Sequence, residues 1–175
     1  MDHAMTVGAV DVHYDDEHGT ARAALVVCRG LTFADVQSEH VADVARTAPY
    51  EPGALYKREL PCIAAVLALG PSVDLLVIDG YATLDADGRP GLGAHASEAL
   101  RIPVIGVAKT RFRTAAHAAE VVRGAGVSPL YVTTAGGLDI AQAARIVSTM
   151  AGRYRIPDAL RRADRLARGL IQPRQ

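Results

Sequence analysis

At 175 residues, half of them apolar and only 5% aromatic, the chain is long enough for one domain, residues 1–175, around a single buried core. No stretch reaches the uninterrupted apolar length of a membrane span, and the start lacks a basic-then-apolar signal pattern, so the reading is a soluble, cytoplasmic protein with no membrane partner. Basic and acidic residues cancel at 19 each, yet 151–175 carries seven arginines against Asp158 and Asp164, a net +5 that leaves −5 elsewhere. That asymmetry fits an acidic pocket beside a basic phosphate-binding face, or else a solvated arginine-rich helix. Cys28 and Cys62 lie far apart without metal-type spacing and read as reduced, buried hydrophobes.

In chain order, Met5–His13 alternates as a strand with Val7, Ala9, Asp11 and His13 on one face. Asp11 is thus an acid inside a strand, where aspartate is disfavoured and costly to bury without a partner, a metal ion being one candidate. Asp15–Gly19 is turn chemistry, and Thr20–Cys28 and Leu31–Val36 complete an antiparallel three-strand meander. Pro49-Tyr50-Glu51-Pro52-Gly53 forms a stiff loop from which Tyr50 projects. Pro61 suits the first position of a helix running to about Leu69, with Glu59 just ahead of it, where the helix dipole favours a carboxylate.

Asp74-Leu75-Leu76-Val77-Ile78-Asp79-Gly80 reads as a strand buried on both faces, with Asp79 at its carboxyl end. A helix cap there would need an apolar-periodic run next, but Gly80–Gly91 is loop chemistry, so Asp79 reads as a site residue. Gly93–Leu100 is a short helix and Ile102–Val107 another buried strand, with Lys109 just past its end, placed either to hold an anion or to reach solvent. Thr114–Arg123 reads as a small alanine-rich helix, Pro129–Thr133 as the last strand, Asp139 to about Met150 as a helix with Ile140, Ala144, Val147 and Ala151 on one face, and Pro157–Gly169 as a basic terminal helix. His13 and Tyr81 read as structural, and nothing in the pattern demands more than a monomer.

Three strands in meander followed by helix, strand, helix, strand is the order of the α/β ribonuclease H-like fold, whose mixed central sheet joins an antiparallel meander to parallel strands and is flanked by helices. Asp11, Glu59 and Asp79 would then meet. Several carboxylates are what two divalent ions about 3.5–4 Å apart need if they are to activate water on one side of a phosphodiester and steady the leaving oxygen on the other.

The local contexts are more specific. Val10-Asp11-Val12, Pro49–Gly53, Arg58-Glu59-Leu60-Pro61, Leu76–Gly80, Gly91-Leu92-Gly93-Ala94-His95, Pro103–Lys109 and Arg162–Ala167, in that order, resemble the endonuclease V family over nearly the whole chain. The resemblance implies a magnesium-dependent endonuclease, with manganese as substitute, that acts on inosine-containing DNA or RNA. Its members cut the second phosphodiester 3′ to the lesion and leave 3′-hydroxyl and 5′-phosphate ends. It implies Asp11, Glu59 and Asp79 as metal ligands with Asp164 supporting the second ion, and Lys109 assisting the attacking water or the scissile phosphate. Tyr50, beside Pro49 and Gly53, would be the wedge that parts the strands while the altered base turns out. Gly80, His95 and Arg89 complete the implied nucleic-acid contacts.

The chain departs from the family pattern in three places, one of them Thr134-Ala135-Gly136-Gly137, which replaces a glycine-histidine-basic turn. Glu51 stands where the wedge loop usually has an apolar residue, and Tyr81–Pro90 runs one residue longer without the usual histidine and arginine. The altered Tyr81–Pro90 loop motivates an alternative, a non-catalytic or relaxed-specificity nucleic-acid-binding relative. His95 alternatively hydrogen-bonds the loop at its helix start. A dinucleotide-binding reading of Gly88, Gly91 and Gly93 is poor, because no strand immediately precedes them.

Overall fold

The computed structural model describes residues 4–174. Seven strands form one mixed sheet in the order β3-β2-β1-β4-β5-β7-β6. β1 (Thr6–Asp15), β2 (Thr20–Arg29) and β3 (Asp35–Val44) are the antiparallel meander, and β1 then pairs parallel with β4 (Leu75–Asp79), which pairs parallel with β5 (Val104–Ala108). β7 (Leu130–Ala135) lies antiparallel to β5, with β6 (Ala119–Val121) at its outer edge. This is the ribonuclease H-like architecture expected above.

Strict alternation along β1 and β4 sorts side chains to two faces. Val7, Ala9, Leu75 and Val77 join the core under α3 (Ile140–Thr149) and α4 (Asp158–Ala167), whereas Val10, Leu76 and Ile78 join the core under α1 (Leu55–Leu67) and α2 (Leu92–Leu100). With both faces covered, β4 and β5 tolerate near-continuous Leu, Val and Ile. Cys28 and Cys62 are free and buried, as expected. Among the described residues, no helix is long and apolar enough to cross a membrane.

Four expectations need correction. The third strand runs over Asp35–Val44 rather than Leu31–Val36, because residues 31–34 make a turn whose Phe33, at φ 55°, drops into the core at 2% exposure. α1 begins at Leu55, not Pro61, so Pro61 sits inside the helix on its exposed side and Glu59 is carried by the helix instead of preceding it. Thr114–Arg123 is not a helix. Alanine gives that stretch no apolar periodicity, and Ala119–Val121 pairs with β7 as an edge strand that buries Val121. On α3, Ala143, Ile146 and Val147 face the core, a stripe rotated from the expected one, although Asp139 caps the helix by accepting from the Gln142 N–H at 2.9 Å.

Candidate active site

β1 and β4 are parallel neighbours with Val10 opposite Ile78, so Asp11 and Asp79, each one residue further on, leave the same face at the carboxyl edge of the sheet. The face is the one that α4 covers, and α4 contributes Asp164. Glu59 arrives from α1. Asp11 accepts a hydrogen bond from the Val12 N–H at 2.9 Å and, among the described residues, forms no ion pair. Burial pushes its carboxyl well above the usual range, and the negative charges of Asp79 and Asp164 add to the shift. Burial likewise pushes Glu59 up to about 7, with Asp11 and then Asp79 as the repelling neighbours. The four acids therefore share one electrostatic environment.

Two cations touch this group. Lys109, from the end of β5, donates to Asp79 Oδ2 at 2.7 Å, and Arg168 Nε donates to Asp164 at 2.8 Å. Burial works against the Lys109 ammonium, but the hydrogen bond and charge of Asp79 outweigh it and raise its pKa, so Lys109 stays protonated at neutral pH. Asp79, Lys109, Asp164 and Arg161 line a small cleft of about 110 Å³.

The donor set suits a hard divalent cation. It is all oxygen, it carries more negative charge than Lys109 and Arg168 neutralise, and two of its acids resist ionisation because they are buried and then repelled by their acidic neighbours, more than the nearby cations offset. Its oxygens are nevertheless not drawn into closed ligand spacing. Among the described residues, the trio whose donor atoms lie within 4.8 Å of one another is Asp15, Glu17 and His18, on the exposed β1–β2 turn that the sequence marks only as a turn. There Asp15 is already engaged by the backbone N–H and Nδ1 of His18.

The remaining expected contacts surround the acids at varying removes. Tyr50 stands 66% exposed on its loop, where Gly53 adopts φ 77°. Glu51 turns to Lys57 at 3.2 Å. Gly80 takes φ 130°, which only glycine adopts readily, as the chain leaves β4. His95 stacks on Tyr56 at 3.6 Å between ring centroids and 17° between planes, and its ring hydrogen-bonds nothing in the loop among the described residues. Arg89 folds back toward Asp85 at 3.6 Å within its own loop.

Three residues do structural work near the site through partners that sequence reasoning does not name. Tyr81, read as structural without a stated contact, locks the lengthened loop by donating to the Thr110 carbonyl and accepting from the Phe112 N–H, both at 2.7 Å. Arg155 secures the backbone of Lys109 itself, donating to its carbonyl at 2.6 Å. Arg58, immediately before Glu59, is buried, and its place in the block Arg58-Glu59-Leu60-Pro61 was the available signal.

A family profile described as Endonuclease V matches residues 1–126. The chain belongs to the endonuclease V family. Endonuclease V of Streptomyces avermitilis is 36% identical over 95% of this chain and 80% of its own length, and that of Thermococcus kodakarensis is 35% identical over 94% and 78%. A crystal structure of the Streptomyces avermitilis protein superposes with a TM-score of 0.79 at 32% identity, covering 96% of this chain and 82% of that one. Endonuclease V of Ciona intestinalis, solved with DNA containing an inosine followed by a ribo-adenosine, shares the fold at a TM-score of 0.82 and 20% identity over 95% of this chain and 85% of its own.

Proposed function

We propose that this endonuclease V family member is a magnesium-dependent nuclease, with manganese as substitute, acting as a monomer in the cytoplasm on inosine-containing DNA or RNA and cutting the second phosphodiester 3′ to the inosine. The observation that supports this reading most is the placement of Asp11 and Asp79 side by side on parallel strands, crowded by Glu59 and Asp164 and faced by a protonated Lys109.

In this reading Asp11, Glu59 and Asp79 hold the divalent ion, with Asp164 supporting a second. When bound, such an ion supplies a water nucleophile at neutral pH and neutralises charge at the leaving oxygen. Lys109, held by Asp79 and backed by Arg155 at its carbonyl, presents a fixed positive charge to the scissile phosphate or the attacking water. Tyr50, exposed on a loop stiffened by Pro49 and Pro52 and turned by Gly53, enters between strands as the wedge, with Gly80, Arg89 and His95 contacting the nucleic acid around the extruded base.

The test is a nicking assay on matched labelled strands, with and without one inosine, in DNA and RNA forms, with magnesium or manganese. Cleavage one nucleotide beyond the inosine, lost in Asp79→Ala and in chelator, is the expected outcome; cleavage by Asp79→Ala at the parent rate would overturn the assignment. A second reading, a nucleic-acid-binding relative without strict lesion choice, draws on Glu51, whose exposed carboxylate beside Tyr50 disfavours contact with stacked bases. It predicts equal affinity for inosine-containing and undamaged strands and no nicking with either metal.

A further inference from the structure

Arg58 lies on α1 directly before Glu59 and is only 7% exposed. Its guanidinium rests on the Tyr14 ring, 3.7 Å from the centroid. The carboxylate that meets it is Asp16, on the β1–β2 turn. The two partners differ sharply in setting, since the arginine side chain is 8% exposed and the aspartate 79%. A hidden guanidinium ordinarily has its anion hidden with it, because desolvating a charge is costly unless the partner shares the site.

Asp16 also leaves the fork incompletely used. A guanidinium offers five donors in one plane, suited to a two-pronged acceptor. Here Asp16 engages one terminal nitrogen, while Arg58 Nε and the neighbouring Tyr14 hydroxyl, both buried, have no hydrogen-bond partner among the described residues. Arg58 and Asp16 also line an open cleft of about 450 Å³ with Gly19, Pro49 and Tyr50. A buried cation with unspent donors, facing a cleft under an exposed tyrosine, is built for an acceptor-only group larger than a carboxylate.

We propose that this cleft binds a backbone phosphate of the nucleic-acid strand beside Tyr50, and that Asp16 occupies Arg58 in the free protein as a stand-in for that phosphate. Binding then exchanges one anion for another at Arg58: the phosphodiester takes the fork and Asp16 returns to solvent with its turn. Asp15 and Glu17 on the same turn reinforce the exchange, since their charge repels an incoming phosphate while the turn is closed. The inference rests on the nucleic-acid reading above and adds to it a specific phosphate site and an internal competitor.

The test is fluorescence anisotropy with a labelled, undamaged single-stranded oligonucleotide in chelator, at several salt concentrations, with nicking of the inosine substrate by the parent measured separately. Asp16→Asn should bind roughly fivefold tighter than the parent, the gain expected from removing one exposed ion pair. Glu17→Gln, which removes the same charge from the same turn without touching Arg58, should gain much less. Arg58→Gln should bind more weakly, with the slope of log affinity against log salt shallower by about 0.7, one single-strand phosphate contact. If Arg58→Gln fails to melt cooperatively, the comparison of Asp16→Asn with Glu17→Gln decides. Equal gains from those two variants, or an Asp16→Asn protein that binds no better than the parent, would overturn the proposal. A parent that nicks normally while these variants behave so would sink this inference alone. A parent that neither binds nor nicks would remove the nucleic-acid reading and the phosphate site together.

Discussion

Glu39 and Asp11 are acids withdrawn from water on the same face of one sheet, under the same helix, and the fold treats them in opposite ways. Glu39, on β3, has a side chain with no exposure at all. Burial alone would raise its pKa, yet Arg162 from α4 grips both its oxygens and the Arg174 N–H donates to one at 2.7 Å, so the net shift is downward. Asp11, two strands away, receives one backbone N–H and three acidic neighbours. Two residues along α4 from Arg162, the same helix delivers Asp164 and adds to the repulsion. Burial of a carboxylate is therefore not a sign of a site. What marks one is burial without enough answering positive charge, because a fold keeps that arrangement at a cost to its own stability.

Substituting the two acids should separate these roles. Asp11→Asn removes charge from an uncompensated cluster, so the variant should melt at or above the parent temperature in the absence of metal while losing at least about a hundredfold in nicking rate, more than the usual loss for a residue that merely orients a metal ligand. A parent-like rate in Asp11→Asn would place catalysis elsewhere. Glu39→Gln should do the reverse. It leaves Arg162 partly buried without its anion and should destabilise the fold by about 2 kcal/mol, below the range for a fully buried pair because Arg162 retains 24% exposure. Calorimetry should read this as a fall of roughly 4–8 °C in Tm. Nicking per folded molecule should be unchanged, and a large loss would mean that Glu39 reaches the chemistry through α4.

The two regions also differ in how far the sequence reveals them. Asp11 and Asp79 are legible because each interrupts or ends an apolar strand, where an acid conflicts with its surroundings, and the alternation along β1 assigns Asp11 its face. The sheet is legible for the same reason wherever strands are buried. β3 is not, since an edge strand carries Asp35, Gln37, Glu39 and Asp43 and reads as surface, while the apolar Leu31–Phe33 that suggests a strand is a turn plugging the core. α1 hides its start behind Pro61, whose ring tolerates the exposed side of a helix that began two turns earlier. The burial of Arg58 and Glu39 is what escapes. An arginine in a helix and a glutamate in a polar strand read as solvent-facing, and their burial comes from Asp16 and Tyr14 in one case and Arg162 in the other, with Asp16 separated by 42 residues and Arg162 by 123. Pair energies between distant segments leave no local pattern.

The smallest expected effect sharpens the contrast by pH. A carboxyl whose pKa is lowered on folding, as at Glu39, adds stability above the unfolded value of 4.5 and loses it as pH falls through the folded one. Asp11 and Glu59 have pKa values raised on folding, so between their unfolded values near 4 and about 7 the native state binds more protons than the unfolded chain, and stability falls as pH rises across that window. Metal-free parent protein should therefore melt a few degrees lower at pH 8 than at pH 6, and Asp11→Asn should flatten that decline while Glu39→Gln leaves it in place. Magnesium should recover the loss at pH 8 and do little at pH 5, where the acids hold protons that the ion must displace. A parent whose Tm is flat from pH 5 to 8, or rises, would mean that Asp11 and Glu59 are compensated within the fold after all, and the distinction between an answered and an unanswered acid would lose its physical basis.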